Sequence, residues 1–168
     1  MIEKYKVGFT YTVEHLGADG RIISTDTFKN LMPNPGIDAM LNAFFHAGPA
    51  YSAWYLGAYG ANRVPLATDT MTTLLADCVE DTVYTGVGGA RQSVTLSSAS
   101  SGVMTNTASP NILAFPSSST VRGLFLTTNV TRGSNSGLLV SAALLPTVKT
   151  PAAGEELKCY VGFAIVAV

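Results

Sequence analysis

Asp77, Glu80 and Asp81 form the one dense acidic cluster of the chain, in DCVED, with Cys78 among them. Carboxylates grouped this closely can share a metal ion or divide acid and base roles. On a strand, however, Asp77 and Asp81 would share a face about 13 Å apart, at roughly 3.3 Å per residue. That separation suits neither role without a partner from elsewhere, and Glu80 would face the other way beside Cys78. The expectation is an exposed acidic strand or strand entry. His15 and His46 are the two histidines. No further ligands stand at zinc-site spacing, and no G-x-S-x-G elbow offers a serine nucleophile. His46 is expected at a helix end, where it meets the negative end of the dipole. Asp38 would lie about 12 Å from it along the same helix, too far for the two to act together.

TGVGGAR, residues 85–91, has glycines without the G-x-G-x-x-G spacing, and RQSVTL after it reads as a strand. A phosphate cradle needs a following helix N-terminus, so a hairpin turn is expected instead. NVT at Asn129 matches a glycosylation sequon, which matters only in an exported chain. The spacings thus predict no enzyme, no cofactor and no metal.

The remaining chemistry lies in YSAWYLGAYGANRVPLATDT, which holds the only tryptophan. On a strand Trp54 and Tyr55 face opposite ways, one toward the core. Arg63 has no neighbouring cation with which to clamp a phosphate. The segment 62–70 is polar, almost uncharged and stiffened by Pro65. It is expected to be a strap that lies on another protein, with a contact surface formed by Trp54, Tyr55, Tyr59, Asn62, Arg63, Pro65 and Asp69. A second reading takes Trp54, Tyr55, Tyr59 and Asn62 as a stacking platform for a glycan.

These residues must be positioned by a chain of 168 residues, which fits one domain spanning 1–168. Such a domain buries roughly 70% of its unfolded surface and needs no staple. Charged residues are 12% of the total, against about 25% in an average soluble domain. A surface built from Ser, Thr, Asn and Gly can be covered without stranding unpaired charge, which favours protein contact. The net charge is −1, and basic residues are scattered singly, so direct nucleic-acid binding is not expected. No secretory signal is visible in MIEKYKVGF, and the apolar runs are too short to span a bilayer. Cys78 and Cys159 are expected as buried thiols on strands, with a bridge between them left open.

YKVGFTYTVEHL and RIISTDTF flank GADG, a hairpin signal in which Gly20 supplies positive φ. In NPGIDAMLNAFFHAGP the apolar residues Ile37, Met40, Leu41, Phe44 and Phe45 form one helical stripe. The spacing predicts one helix over about residues 36–47, with Asn34 as N-cap and Pro35 in the first turn. Gly48-Pro49 stops it. Strands are expected at 53–58, 78–85, 91–98, 102–107, 120–129, 137–144 and 157–168, and turns at SSASSG, ASPN, TRGSNSG and TPAAGEE. The fold class is mainly β: an antiparallel β-sandwich or jelly roll with one α-helix packed on it. The last strand is apolar on both faces, so either the helix or a neighbouring chain covers its second face, and the helix is the favoured reading.

The order of NPGIDAMLNAFF, WYLGAYG, ATDTMTTLLADCVED, STVRGLFLTTN, LLVSAALLPTV and GEELKCYVGFAIVAV resembles small structural proteins of tailed bacteriophages. The type is a capsid cement or decoration protein, or a tail accessory. The resemblance implies a module without enzymatic activity that is made in the host cytoplasm. It would sit on the capsid exterior of the virion as symmetric copies. Its partners would be the major capsid protein or another virion protein, with self-association as a dimer or trimer, and neither nucleic acid nor membrane. The runner-up is a tail- or fibre-associated module that binds a host glycan.

Overall fold

In the computed structural model, which describes residues 5–85 and 89–167, two antiparallel sheets face one another across a common core. The first contains β1 (Tyr5–Leu16), β2 (Ile22–Lys29), β5 (Val103–Thr105), β6 (Asn111–Ala114) and β9 (Glu156–Ala167). The second contains β3 (Trp54–Tyr59), β4 (Gln92–Val94), β7 (Val121–Thr127) and β8 (Leu139–Lys149), in the order β4-β3-β7-β8. Two helices, α1 (Asn34–Phe45) and α2 (Met71–Asp77), complete the described elements. The expected sandwich is therefore observed. The strand pairing supports that description and does not establish a jelly roll.

The first sheet is organised by β1 and β9, which pair along their full length from Tyr5↔Ala167 to Leu16↔Glu156. Alternation sends Phe9, Tyr11 and Val13 inward from β1, and Leu157, Cys159 and Val161 inward from β9. The β1–β2 hairpin closes as the sequence predicts, with Gly20 at φ 77° and the Gly17 amide donating to Arg21 O at 2.8 Å. β5 and β6 occupy the same edge of β9, one after the other. The break between them is bridged by buried Asn106. Its Oδ1 accepts from Val161 N at 2.7 Å, its own amide donates to Val161 O at 3.1 Å, and its Nδ2 donates to Asn111 Oδ1 at 3.0 Å. One side chain thus satisfies a backbone position that the broken edge strand leaves unpaired.

The second sheet is buried on both faces. Leu56, Leu124 and Leu126 point into the common core, while Tyr59 and Phe125 point outward, where Met71 and Leu74 of α2 cover them. Two cross-strand pairs, Gly57↔Phe125 and Tyr59↔Gly123, set an aromatic ring over each glycine. A Cβ on Gly123 would fall 1.9 Å from Tyr59 Cζ, so only glycine admits that ring.

Several expectations are corrected here. α1 packs against β8, not over the outer face of β9. That outer face carries Lys158, Tyr160, Gly162 and Ala164, all half-buried. The α1 N-cap is Pro33 without a side-chain cap, and Asn34 already lies inside the helix. The strand expected at 78–85 is absent. Its first residue, Cys78, is instead the C-cap of α2, and the rest forms no strand and makes one bridge, Tyr59↔Glu80. Tertiary cover explains the difference: Met71 and Leu74, three residues apart, need a helix to reach the outer core together. The turn expected at ASPN is present, with Ser109 N donating to Asn106 O at 2.8 Å, and only its last residue, Asn111, belongs to β6. The glycine-rich turn expected at 85–91 falls mainly on residues 86–88, outside the described residues.

Candidate functional site

The segment 62–70 is a strap with an internal lock. Arg63, expected to be isolated, donates from Nη1 and Nη2 to the two carboxylate oxygens of Asp69 at 2.6 and 2.8 Å. Its Nε donates to Asp77 at 2.8 Å. Asp69 also accepts from Leu66 N at 2.7 Å and from the Thr73 hydroxyl at 3.3 Å. Fork geometry makes this a charge-assisted, bidentate pair. The hydrogen bond from Arg63 holds the Asp69 carboxyl below the usual carboxylate range, against the opposing effect of its burial. The strap then runs into α2 through a capping box, in which Thr73 N donates to Thr70 Oγ1 and Thr70 N to Thr73 Oγ1. At its start the Tyr59 hydroxyl is shared between Ala143 O at 3.1 Å and Arg63 O at 3.3 Å. Burial raises the Tyr59 pKa well above its ordinary value, so the phenol stays a donor.

This lock places the expected contact residues differently from the sequence reading. Tyr59, Pro65 and Asp69 are buried in the chain itself and form no part of an outer surface. Trp54, Tyr55 and Arg63 are half-buried, and Asn62 is exposed. Trp54 turns toward the common core while Tyr59 belongs to the outer core. The four-residue stacking platform is therefore not assembled. The strap instead exposes two apolar tips that spacing did not single out, Val64 at 66% and Leu66 at 54%.

The larger exposed feature is α1. Its first turn is seated, with Gly36 so close to β8 that a Cβ would lie 2.8 Å from Val140 O. Asn34 N donates to Ala67 O in the strap at 2.7 Å. Its last turns overhang. Phe44 and Phe45 are 82% and 77% exposed, their rings 5.0 Å apart in an edge-to-face pair. Leu41 is exposed beside them on the helix, and His46 is the C-cap. The apolar stripe expected to face a sheet thus reaches protein only in its first half.

The acidic cluster is dispersed by the fold. Asp77 ends α2 on Arg63, whereas Glu80 and Asp81 are buried, not exposed as expected. Glu80 grips Arg91 through two bonds, Nε to Oε1 at 2.9 Å and Nη2 to Oε2 at 2.8 Å. Arg91 also donates to Asn129 O and Ser134 O, and Gly133 N donates to Glu80. Asp81 accepts from the Ser119 hydroxyl at 2.5 Å and from Val83 N at 2.7 Å. Every one of these groups is engaged in tying loops together. His15 meets Glu155 at 2.8 Å at the rim of the first sheet. Backbone donation from Ala152, then the His15 contact, holds the Glu155 carboxyl low. Cys78 and Cys159 are both free and buried; Cys159 lies on β9 as expected, but Cys78 caps α2. Among the described residues no three His, Cys, Asp or Glu side chains are placed to hold a metal ion. No helix among them is long and apolar enough to cross a membrane.

Fold and site together define a two-sheet β-sandwich with an overhanging apolar helix and a locked strap. Compared with protein-family models and with curated protein sequences, the chain matches none.

Proposed function

We propose that the chain is a non-enzymatic virion structural protein of the capsid cement or decoration type. In this reading it bridges subunits of the major capsid protein on the capsid exterior. The observation that carries the docking role is the pair Phe44 and Phe45, adjacent on α1 and both mostly in solvent. Two neighbouring phenylalanines held out by a helix whose other end is fixed are a costly arrangement for a solitary chain. Aromatic anchors on a rigid element are what a protein interface uses at its centre. The strap supports the same reading, since its ion-pair lock fixes Val64 and Leu66 before any partner arrives and so lowers the ordering cost of binding. Repetition by capsid symmetry multiplies such modest contacts, and self-association as a dimer or trimer would add to them.

The test is cosedimentation with empty shells of the cognate tailed phage, compared with dissociated capsid subunits. Wild type is expected to pellet with the shells and to raise their heat resistance, because it binds the assembled state selectively. The double variant Phe44→Ser/Phe45→Ser is expected to stay folded and in the supernatant. Wild type that ignores shells, or a variant that binds them equally well, overturns the proposal.

A further inference from the structure

Beneath the overhanging half of α1 lies a cavity of about 340 Å³. Its floor and walls come from both sheets: Phe9, Trp54, Met104, Leu126, Val140 and Phe163. Its roof is the underside of α1, with Ala39, Met40 and Ala43. Ala43, Phe44 and Ala50 line it and are exposed, which places the mouth between the end of α1 and the chain that follows. Among the described residues no carboxylate, amine or guanidinium lines this space. The polar atoms its side chains bring are the Tyr51 hydroxyl and the Trp54 indole nitrogen.

Native interiors hold few voids larger than a water molecule. Water needs two to four polar partners to occupy a cavity, and this lining offers too few. An apolar cavity of about 150 Å³ stays dry and takes up benzene, so one about twice that volume suits a two-ring or similarly sized hydrocarbon body. Three methionines, Met32, Met40 and Met104, give the lining side chains that repack around differing shapes. The absence of a lining cation disfavours a carboxylate or phosphate inside.

We propose that this cavity is a binding site for one uncharged, hydrophobic small molecule, a two-ring aromatic or a medium-length alkyl chain, with α1 as its lid. The site shares Phe44 at its mouth with the exposed pair used for docking, whereas Phe45 is on the outside of the lid and does not line the cavity.

Trp54, the only tryptophan in the chain, lies in the wall and reports occupancy directly. The probe is N-phenyl-1-naphthylamine, which is uncharged. Titration into the full chain is expected to quench Trp54 and enhance probe emission together, saturating at one probe per chain. Ala39→Phe, which fills the cavity from the lid, is expected to weaken binding by about tenfold or more. Leu96→Phe fills it from another lining position, in the chain after β4, and serves if the first variant does not fold. Phe45→Ser is expected to leave affinity within about twofold, since no lining contact is lost. Absence of saturable quenching overturns the proposal. So does binding that survives both filling variants, or that disappears in Phe45→Ser, which would place the probe on the exposed tip. Shell binding is not involved, so this site and the docking role can fail independently.

Discussion

Arg91 is held with its guanidinium fully out of solvent, against a Glu80 carboxylate that is 2% exposed. Glu80→Gln keeps the shape but removes the compensating charge. A buried cation left in this way costs about 3–5 kcal/mol, against about 0–1 kcal/mol for an exposed pair. Arg91→Met instead leaves the Asn129 and Ser134 carbonyls without their donor, at about 1 kcal/mol or more each. It also leaves Glu80 with only Gly133 N and a long contact from Tyr84 as donors. A loss of similar size is therefore expected for this variant. The double variant Glu80→Gln/Arg91→Met carries neither charge, so its loss is expected to fall short of the sum of the singles by about 2 kcal/mol or more. Against a total stability of about 5–15 kcal/mol, each single change is large. Urea unfolding at pH 7 followed by Trp54 fluorescence reads all four proteins. Single losses below about 1 kcal/mol, or a double loss equal to the sum, refute the view that this pair ties the loops at 80, 91 and 129–134.

The strap lock gives a pH prediction. Asp69 has a lowered folded pKa, so its contribution is fully present above the unfolded value of about 3.9 and is lost as pH falls through the folded value. Exchange protection of the Leu66 amide, which donates to Asp69, is expected to persist at pH 5 and fail only below about pH 4; Asp69→Asn is expected to lose about 2 kcal/mol and that acid step. Loss of Leu66 protection already near pH 6 would refute the lock. The cysteines give another prediction. Burial pushes the Cys159 thiol up to about 12 and raises Cys78 as well, so neither supplies thiolate near pH 8. Ellman's reagent is expected to modify no thiol in the folded chain and both in denaturant, and rapid labelling of either in the folded state would contradict the packing.

The elements legible in the sequence are those whose pattern is local. Asp19-Gly20 fixes the first hairpin, and the stripe from Ile37 to Phe45 marks α1, because turn chemistry and helical period act within a few residues. β7, β8 and β9 are apolar enough to announce themselves. α2 was hidden because its seven residues include two β-branched threonines and its capping box has Thr73 where glutamate is usual. β6 was hidden by Pro110 and Asn111, which read as a turn until Asn111 Nδ2 finds Ser93 O across the fold. The strap was located by its Arg, Pro and Asp, but not its lock, because nothing in the spacing of Arg63 and Asp69 says that their side chains converge. The overhang of α1 was illegible for the same reason: an apolar stripe predicts burial and cannot say how far the sheet beneath it extends.

The low charge content acquires a sharper meaning from the fold. With 12% of residues charged, the chain is already poor in ionised groups. Asp69, Glu80, Asp81 and Arg91 are then drawn inside, where they hold the strap and loops, and buried Lys149 of β8 meets Asp26 and Ser24 of β2. What reaches solvent is therefore no richer in charge than the chain as a whole, while Phe44, Phe45, Val64 and Leu66 are left outside. A chain selected only to remain apart from its neighbours would have the opposite distribution, with charges outward and phenylalanines inward. Drawing these charges inside gains little for the isolated fold, since a buried ion pair replaced whole by well-packed apolar residues often costs little or nothing. It does give a surface that loses little on being covered, with loops stiff enough to be covered the same way each time.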